Sequence, residues 1–292
     1  MTHTNPLAEV ASGEDEDLEL ARLAQSGRKE ALEALVTRHQ RWIYNIALRM
    51  VCHPHDAEDA AQEIFVKAIT RLSTFRGESL FRTWLYRIAL NHLLNVKRTR
   101  GRERWTFEDY GRDLDDTPDA DLPDPASVSA DVGVYVHEAR IGCTSGMLLC
   151  LDDEQRVVYV LGAIFGVSDR VGAELLEISQ DNFRQRLARA RRDLRSFMDD
   201  KCGVKTSNPC RCAKKMRGFF KAGYLDPRTL LFARDRLVRV RDIAESRSDE
   251  IDEMDAAYAQ IHRDHPFPQS PDFLRSLRAL IERSDLQTTF KA

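Results

Sequence analysis

The sequence predicts an all-α protein with two helical modules, joined by a flexible acidic linker and followed by a mostly helical C-terminal extension. Three observations lead to this fold class. Apolar residues recur at helical spacing over long stretches that contain little proline. The 292 residues exceed what one small domain needs. Positive charge falls in two blocks that an acidic, proline-broken segment separates.

Charge distribution sets the predicted boundaries, although the net charge is only −3. The first basic block contains Lys97, Arg98, Arg100, Arg102 and Arg104. The acidic segment contains Asp113, Asp115, Asp116, Asp119, Asp121 and Asp124, interrupted by Pro118, Pro123 and Pro125. The second basic block contains Arg184, Arg186, Arg189, Arg191, Arg192 and Arg195. We expect a disordered N-terminus over 1–16, the first module over 17–104, an extended linker over 105–135, the second module over 136–200 and the extension over 201–292.

The first module begins with two predicted short helices, separated by a turn at Ser26 and Gly27. Their apolar positions are Leu18, Ala21, Ala24, Ala31 and Leu35. A further helix, started by Asp56, buries Ala61, Phe65, Ala68 and Leu72 and leaves Asp59, Gln62 and Glu63 outside. A loop over 73–79 precedes a helix whose apolar stripe contains Trp84, Leu85, Ile88 and Leu93.

The second module has the layout of a helix-turn-helix. It has a buried segment over 157–165, a short helix over 168–176 and a third helix from Gln180. In the third helix the predicted inward stripe is Phe183, Leu187, Ala190 and Leu194. Arg184, Gln185, Arg189 and Arg192 must then project outward, which makes that face cationic.

Composition excludes several classes of protein. The longest apolar run, residues 157–167, is too short to span a membrane. The acidic run at 14–17 stands where a secretory signal would be basic and apolar, so we expect a cytoplasmic protein. The six cysteines form no disulfide framework and are expected to be reduced. The sequence has no glycine-rich phosphate loop, no H-E-x-x-H pair and no nucleophile elbow, which disfavours an enzyme.

The cationic face of the third helix suits the major groove of DNA. Arginine donates two hydrogen bonds to guanine, glutamine pairs with adenine, and further arginines bind phosphates. The alternative is a solvated, salt-bridged face, since Asp181 and Asp193 lie nearby. The short helix and turn that come before it favour the DNA-binding interpretation.

The first module interleaves aromatic and basic residues beside its loop, a pattern suited to unpaired bases. The aromatic residues are Phe75, Phe81, Trp84 and Tyr86, and the basic ones are Arg76, Arg82 and Arg87. The alternative is that Phe81 and Trp84 pack the core, as single aromatic residues more often do. Phe75 lies in a polar loop, where exposure is expected.

Two stretches resemble the extracytoplasmic-function, or group IV, sigma factors of bacterial RNA polymerase. They are DAEDAAQEIFVKAITRLSTFRGESLFRTWLYRIALNHLLNVKR (residues 56–98) and GVSDRVGAELLEISQDNFRQRLARARRDL (residues 166–194). Their order and spacing match the second and fourth conserved regions of that family. With the linker, the resemblance covers roughly the first two thirds of the chain.

The resemblance implies a role for each matching position. It implies that core RNA polymerase binds, through its clamp helices, at Asp56, Asp59, Gln62, Glu63 and Phe65. It implies that the melted −10 element, with a flipped base, contacts Phe75, Arg76, Gly77, Trp84, Asn91, Lys97 and Arg98. It implies that the duplex −35 element contacts Arg184, Gln185, Arg186, Arg189 and Arg192. The acidic linker resembles the family segment that passes through the polymerase near the RNA path.

This sequence departs from the family pattern in the helix-turn-helix. Glu177 stands where the family usually has glycine, and Asn182 and Phe183 replace a small or β-branched pair. If the turn needs a positive φ, a residue other than glycine costs about 1 kcal/mol. The promoter sequence therefore does not transfer from relatives.

The C-terminal extension carries no clear motif. Cys202, Cys210 and Cys212, with His262 or His265, supply enough ligands for zinc. Their spacing matches no standard zinc pattern, so we predict no metal or cofactor. The extension is long enough for a regulatory domain that folds back on the DNA-binding modules or binds polymerase, in place of a separate anti-sigma factor.

Two functions compete for the sequence as a whole. The first is a sigma factor that binds core polymerase and opens promoter DNA without catalysis. The second is a stand-alone transcriptional regulator that uses only the helix-turn-helix, with the first module serving for dimerisation or sensing.

Overall fold

A computed structural model describes residues 14–99, 105–117, 130–202, 212–221, 270–275 and 277. Within these ranges all regular structure is helical, which confirms the all-α prediction. The helices are α1 (Glu14–Gln25), α2 (Lys29–Val51), α3 (Pro54–Thr70), α4 (Phe81–Thr99), α5 (Phe107–Asp116), α6 (Ala130–Cys150), α7 (Asp153–Tyr159), α8 (Asp169–Leu176), α9 (Gln180–Lys201) and α10 (Cys212–Lys221). In the described part of the chain, no helix is long and apolar enough to cross a membrane.

The described residues fall into two compact units. The first holds those within 1–102, 160–186 and 267–292. The second holds those within 103–159 and 187–266. Part of the expected acidic linker and most of the expected extension lie outside the described residues. Of the N-terminus expected to be disordered over 1–16, residues 1–13 also lie outside them, whereas residues 14–16 begin α1, so the expectation was wrong there.

Helix α2 is the centre of the first unit. Every residue from 43 to 50 is buried, so the helix is covered on all sides there. The prediction of two short helices was wrong for this second helix, which runs 23 residues. Its all-round burial removes the alternation of apolar and polar residues by which an amphipathic helix is recognised. The helix ends at Val51, Cys52 follows in a left-handed conformation with φ 55°, and Pro54 begins α3.

A buried polar chain links α1, α2 and α4. The Asp17 carboxylate lies 3.2 Å from His39 Nε2, and His39 Nδ1 lies 3.3 Å from the Tyr86 hydroxyl. Arg38 binds the same carboxylate at 2.8 Å. Burial raises the pKa of Tyr86 above its usual range, so its hydroxyl stays protonated. These contacts place charged or polar neighbours beside groups that would be costly to bury alone.

Helix α3 confirms the predicted inward positions Ala61, Phe65 and Ala68, and Leu72 follows in a buried 3₁₀ turn over Leu72–Thr74. The helix starts at Pro54, two residues before the predicted start at Asp56. Proline suits a first helical turn because its missing N–H would have no partner there.

The second unit contains a helix within the segment that the sequence analysis expected to be extended. Thr106 caps α5, because its side chain accepts a hydrogen bond from the backbone N–H of Asp109 at 3.1 Å. The ring of Phe197 lies 5.2 Å from Phe107 and 5.8 Å from Tyr110. The acidic composition thus concealed an apolar stripe, which packs α5 against α9.

Two buried cations complete the second unit. The Arg156 guanidinium donates to the carbonyls of Leu148, Leu149 and Leu151 at 2.6, 3.0 and 2.7 Å, and so caps the end of α6. Lys215 of α10 donates to the carbonyl of Thr117, next to the end of α5. These bonds satisfy carbonyls that have no partner within their own helices.

Replacing Gly172 with alanine should lower stability, because α8 and α9 approach closely there. A Cβ at Gly172 would lie 2.6 Å from Cζ of Phe183, whose ring is fully buried. We expect Gly172→Ala to lower the free energy of unfolding by about 1–3 kcal/mol in denaturant titrations. Gly142 of α6 is the matched control, since nothing lies within 4 Å of its added Cβ. Gly142→Ala should raise the same free energy by about 0.5–1 kcal/mol. Equal effects of the two changes would contradict the prediction.

Candidate nucleic-acid interface

The helix-turn-helix forms as predicted, from α8, a short turn and α9. Ser168 caps α8 by accepting from the N–H of Val171 at 3.4 Å. Ser179 accepts from the N–H of Asn182 at 3.2 Å and so caps α9. Glu177 ends α8 with φ 55°, the left-handed conformation that the sequence analysis raised for this position. The turn therefore carries the steric strain that any side chain other than glycine has in this conformation.

The long helix α9 carries a row of exposed polar side chains. Phe183, Ala190 and Leu194 are buried as predicted, and Leu187 is half-buried. The exposed residues are Arg184, Gln185, Arg189 and Arg192, and Arg186 is half-buried. The predicted outward orientation is therefore confirmed. Arg186 is held by Asn182, whose side-chain oxygen accepts from its Nε at 2.8 Å.

Nearby carboxylates accompany this cationic face, as the alternative interpretation expected. Arg184 pairs with Asp169 through its Nε and with Asp181 at 3.1 Å. Asp193 lies 3.5 Å from Arg192 and accepts from Gln155 at 2.9 Å. The Arg184 side chain is 57% exposed, and exposed ion pairs contribute about 0–1 kcal/mol. These ion pairs therefore orient Arg184 but hold it only weakly.

The loop after α3 has a buried base and an exposed tip. The ring of Phe75 lies 5.4 Å from Phe81 and 5.5 Å from Trp84. Gln25 of α1 donates to the carbonyls of Leu72 and Phe75 at 2.9 and 2.8 Å. Phe75 is only 6% exposed, so its expected exposure was wrong. Phe75 has polar neighbours in the sequence, and these gave no sign that its ring packs against Phe81 and Trp84 of α4.

The tip of the loop is Arg76, Gly77 and Glu78, all exposed. Gly77 has φ 75°, a conformation that glycine adopts without strain. Asn91 is exposed on α4, and Trp84 is half-buried. Lys97 and Arg98 belong to α4, but their side chains lie outside the described residues. The Tyr86 ring and Arg82 are buried, so neither offers an open surface in this state.

The candidate polymerase-binding residues lie along α3. Asp59 and Glu63 are exposed, Asp56 and Gln62 are half-buried, and Phe65 is buried. Glu63 lies 3.6 Å from His92 Nε2, and Lys67 contacts the other ring nitrogen of His92 at 2.6 Å. The outer face of α3 therefore carries acidic side chains, and Phe65 packs inward next to it.

Contacts between the helix-turn-helix and the first module were not foreseen in the sequence. The ring of Phe165 lies 5.0 Å from Trp42, and the Arg49 guanidinium lies 5.1 Å from its centroid. Burial lowers the pKa of Arg49 to about 10, which leaves it charged at neutral pH. Arg87 of α4 donates to the Glu174 carbonyl at 3.2 Å and lies 3.5 Å from the Glu177 carboxylate. These residues are far apart in sequence, and no local pattern marks them as partners.

The candidate zinc ligands are placed only in part. Cys202 is buried and Cys212 is half-buried, and both are free thiols. Cys210, His262 and His265 lie outside the described residues. Among the residues described, no three His, Cys, Asp or Glu side chains group as metal ligands.

Comparison with known proteins gives consistent matches. The family model described as Sigma-70 region 2 matches residues 35–103. The RNA polymerase sigma-H factor of Pseudomonas aeruginosa is 30% identical over 61% of this chain and 91% of its own length. The RNA polymerase sigma factor CnrH of Cupriavidus metallidurans is 33% identical over 64% of this chain and 96% of its own. The ECF RNA polymerase sigma factor SigW of Bacillus subtilis is 31% identical over 60% of this chain and 93% of its own.

Replacing Glu177 with glycine should stabilise the helix-turn-helix, because glycine adopts a φ of 55° without strain. We expect Glu177→Gly to raise the free energy of unfolding by about 0.5–1 kcal/mol in denaturant titrations. This is a net value, which includes the loss of the exposed ion pair with Arg87. Glu174→Gly is the matched control, because Glu174 is also exposed but lies inside α8. The control should lower the free energy by about 1 kcal/mol. A destabilised Glu177→Gly would show that the Arg87 pair outweighs the strain.

Proposed function

This chain belongs to the ECF RNA polymerase sigma factors, proteins of transcription initiation, and we propose that it directs core polymerase to promoters with −35 and −10 elements and promotes DNA melting there. Sigma factors are not enzymes, and we propose no catalytic activity for this chain. Its partners would be core polymerase, promoter DNA in duplex and melted form, and an anti-sigma factor or its own C-terminal extension. It would act in the cytoplasm.

The observation that carries the proposal is the exposed face of α9. Arg184 and Gln185 lie on one turn and Arg189 on the next turn of a helix that follows a capped turn, and all three are exposed. A helix presented in this way fits the major groove, where arginine and glutamine read base edges. Arg186 and Arg192 would bind phosphates beside the −35 element.

At the −10 element, the loop base and the loop tip would have different roles. Phe75 packs against Phe81 and Trp84, so we assign it to holding the loop in place. The exposed tip at Arg76 and Gly77, with Asn91 on α4, would receive a flipped base. Trp84, which is half-buried, would contact a neighbouring base, and Lys97 and Arg98 would bind the backbone.

On α3, the acidic outer face would bind the polymerase clamp helices. Asp59 and Glu63 are exposed there and Gln62 is half-buried, so the three are accessible to a partner. Asp56 would contribute from the first turn, and Phe65 would support this surface from beneath.

Helix α8 contacts α4 within the first unit. Arg87 bonds to the last turn of α8, and α8 carries the helix that would read the −35 element. The −10 and −35 elements are separate sites on DNA, so one chain can bind both only if α8 leaves α4. We therefore propose that promoter binding opens this contact.

Run-off transcription with purified core polymerase and a library of promoters tests the function. The proposal expects transcripts that start at defined sites only when this chain is added, and co-elution of the chain with core polymerase in gel filtration. A chain that bound duplex DNA equally well without polymerase would instead be a stand-alone regulator. A chain that joined polymerase without any start-site preference would contradict the proposal.

Replacing Arg184 or Arg189 with alanine should weaken binding at the −35 element, because each removes a donor to base edges. We expect a loss of about 1–3 kcal/mol in binding free energy and relaxed selectivity at the contacted base pair. Competition binding of the polymerase complex to matched and mutated −35 sequences measures both effects. Arg112→Ala is the control, because Arg112 is equally exposed but lies on α5. Loss of affinity without any change in selectivity would assign Arg184 and Arg189 to phosphates.

Replacing Asn91 with alanine should impair promoter opening while leaving closed-complex binding nearly intact. Its side chain is exposed on α4, where it would bind a base only after that base has left the duplex. Permanganate footprinting measures opening, and filter binding at low temperature measures the closed complex. A parallel loss in both assays would contradict a role limited to melting.

A further inference from the structure

A short segment from the C-terminal extension is packed on the first unit. We call residues 271–275 and Leu277 the docking segment. Its side chains Phe273 and Leu277 are only 3% and 1% exposed. The ring of Phe273 lies 6.4 Å from Tyr44 of α2 and 6.0 Å from Phe65 of α3. Phe273 therefore covers an apolar site on the flank that α2 and α3 form together.

The apolar site needs a cover. Tyr44 and Phe65 are buried, and the buried stretch 43–50 of α2 leaves no face suited to water. Apolar side chains on a helix flank are stable when another apolar surface covers them. In this structure Phe273 contributes to that cover.

The docking segment is fixed by internal hydrogen bonds and by two buried apolar side chains. Asp272 accepts from the N–H of Leu274 at 3.1 Å, and the N–H of Phe273 bonds to the Pro271 carbonyl at 2.9 Å. Both bonds are internal to the segment. Phe273 makes the ring contacts with Tyr44 and Phe65, so an apolar partner that bound this flank would have to displace Phe273.

The apolar site lies beside the surface assigned to polymerase. Gln62 is one turn before Phe65 on α3, and residues three apart in a helix are neighbours on its surface. A protein that binds along Asp59, Gln62 and Glu63 would thus reach the edge of the site that Phe273 occupies.

We propose that the docking segment competes with core RNA polymerase for this flank and so acts as an inhibitor within the chain. The inference rests on the proposed function. Binding of polymerase requires the flank to be free, so the apparent affinity is the intrinsic affinity multiplied by the fraction of chains in which the flank is free. Weakening the docking segment therefore increases polymerase binding without any change in the surface that polymerase contacts.

The test compares variants of the full chain in titrations with purified core polymerase. Phe273→Ala and Leu277→Ala should each tighten the dissociation constant, by about tenfold if the segment is docked in most chains. Arg275→Ala is the matched control, since Arg275 is exposed in the same segment, and it should have no effect. Asp59→Lys is the reference for direct damage to the polymerase surface, and it should weaken binding. Thermal melts of each variant report whether the chain remains folded.

Hydrogen exchange on the unaltered chain gives a second measurement that needs no variant. The backbone amides of the docking segment should be protected in the free chain and should lose protection when core polymerase is added. Protection that persists in the polymerase complex would overturn the proposal, as would unchanged or weaker binding of Phe273→Ala and Leu277→Ala. If the unaltered chain and every variant fail to bind polymerase, the proposed function fails as well. If they bind with one common affinity, only the competition fails.

Discussion

The all-round burial of α2 is the constraint on which the first unit depends. A helix whose residues 43–50 are all buried must be covered on every side. Helices α1, α3 and α4 provide part of the cover, Phe165 adds a contact at Trp42 and Arg49, and Phe273 adds one at Tyr44. The polar side chains on α2 follow from the same constraint. His39 binds Asp17 and Tyr86, and Arg49 bonds to Asn45, because a buried polar group without a partner is costly.

The distribution of charge matters more to the proposed sites than the net charge does. The chain has a net charge of −3, so its attraction for nucleic acid depends on where the charges lie. Exposed arginines lie on α9, where exposed Asp181 accompanies Arg184, and the exposed carboxylates of Asp59 and Glu63 lie on α3. Under the proposed function, the arginines of α9 would meet DNA and the carboxylates of α3 would meet polymerase.

Local patterns in the sequence were sufficient for the helix-turn-helix. The inward positions Phe183, Ala190 and Leu194 and the outward arginines follow from helical periodicity, whereas the left-handed conformation of Glu177 was raised by the family's usual glycine at that position. The length of α2, the burial of Phe75 and the formation of α5 did not follow. Each depends on partners distant in the chain, such as Gln25 for the loop and Phe197 for α5. Residue roles at the DNA and polymerase surfaces came from the family resemblance, and they stay predictions.

The turn between α7 and Phe165 is wider than an α-helical turn. Residues Val160–Ile164 form a π-helix, and the N–H of Phe165 bonds to the carbonyl of Val160, five residues back, at 3.0 Å. Since each residue of an α-helix turns the chain by roughly 100°, the extra residue decides the direction in which Phe165 points. Loss of one amino acid here would turn Phe165 away from Trp42 and redirect α8 with it. Insertions and deletions should accordingly be poorly tolerated at this position.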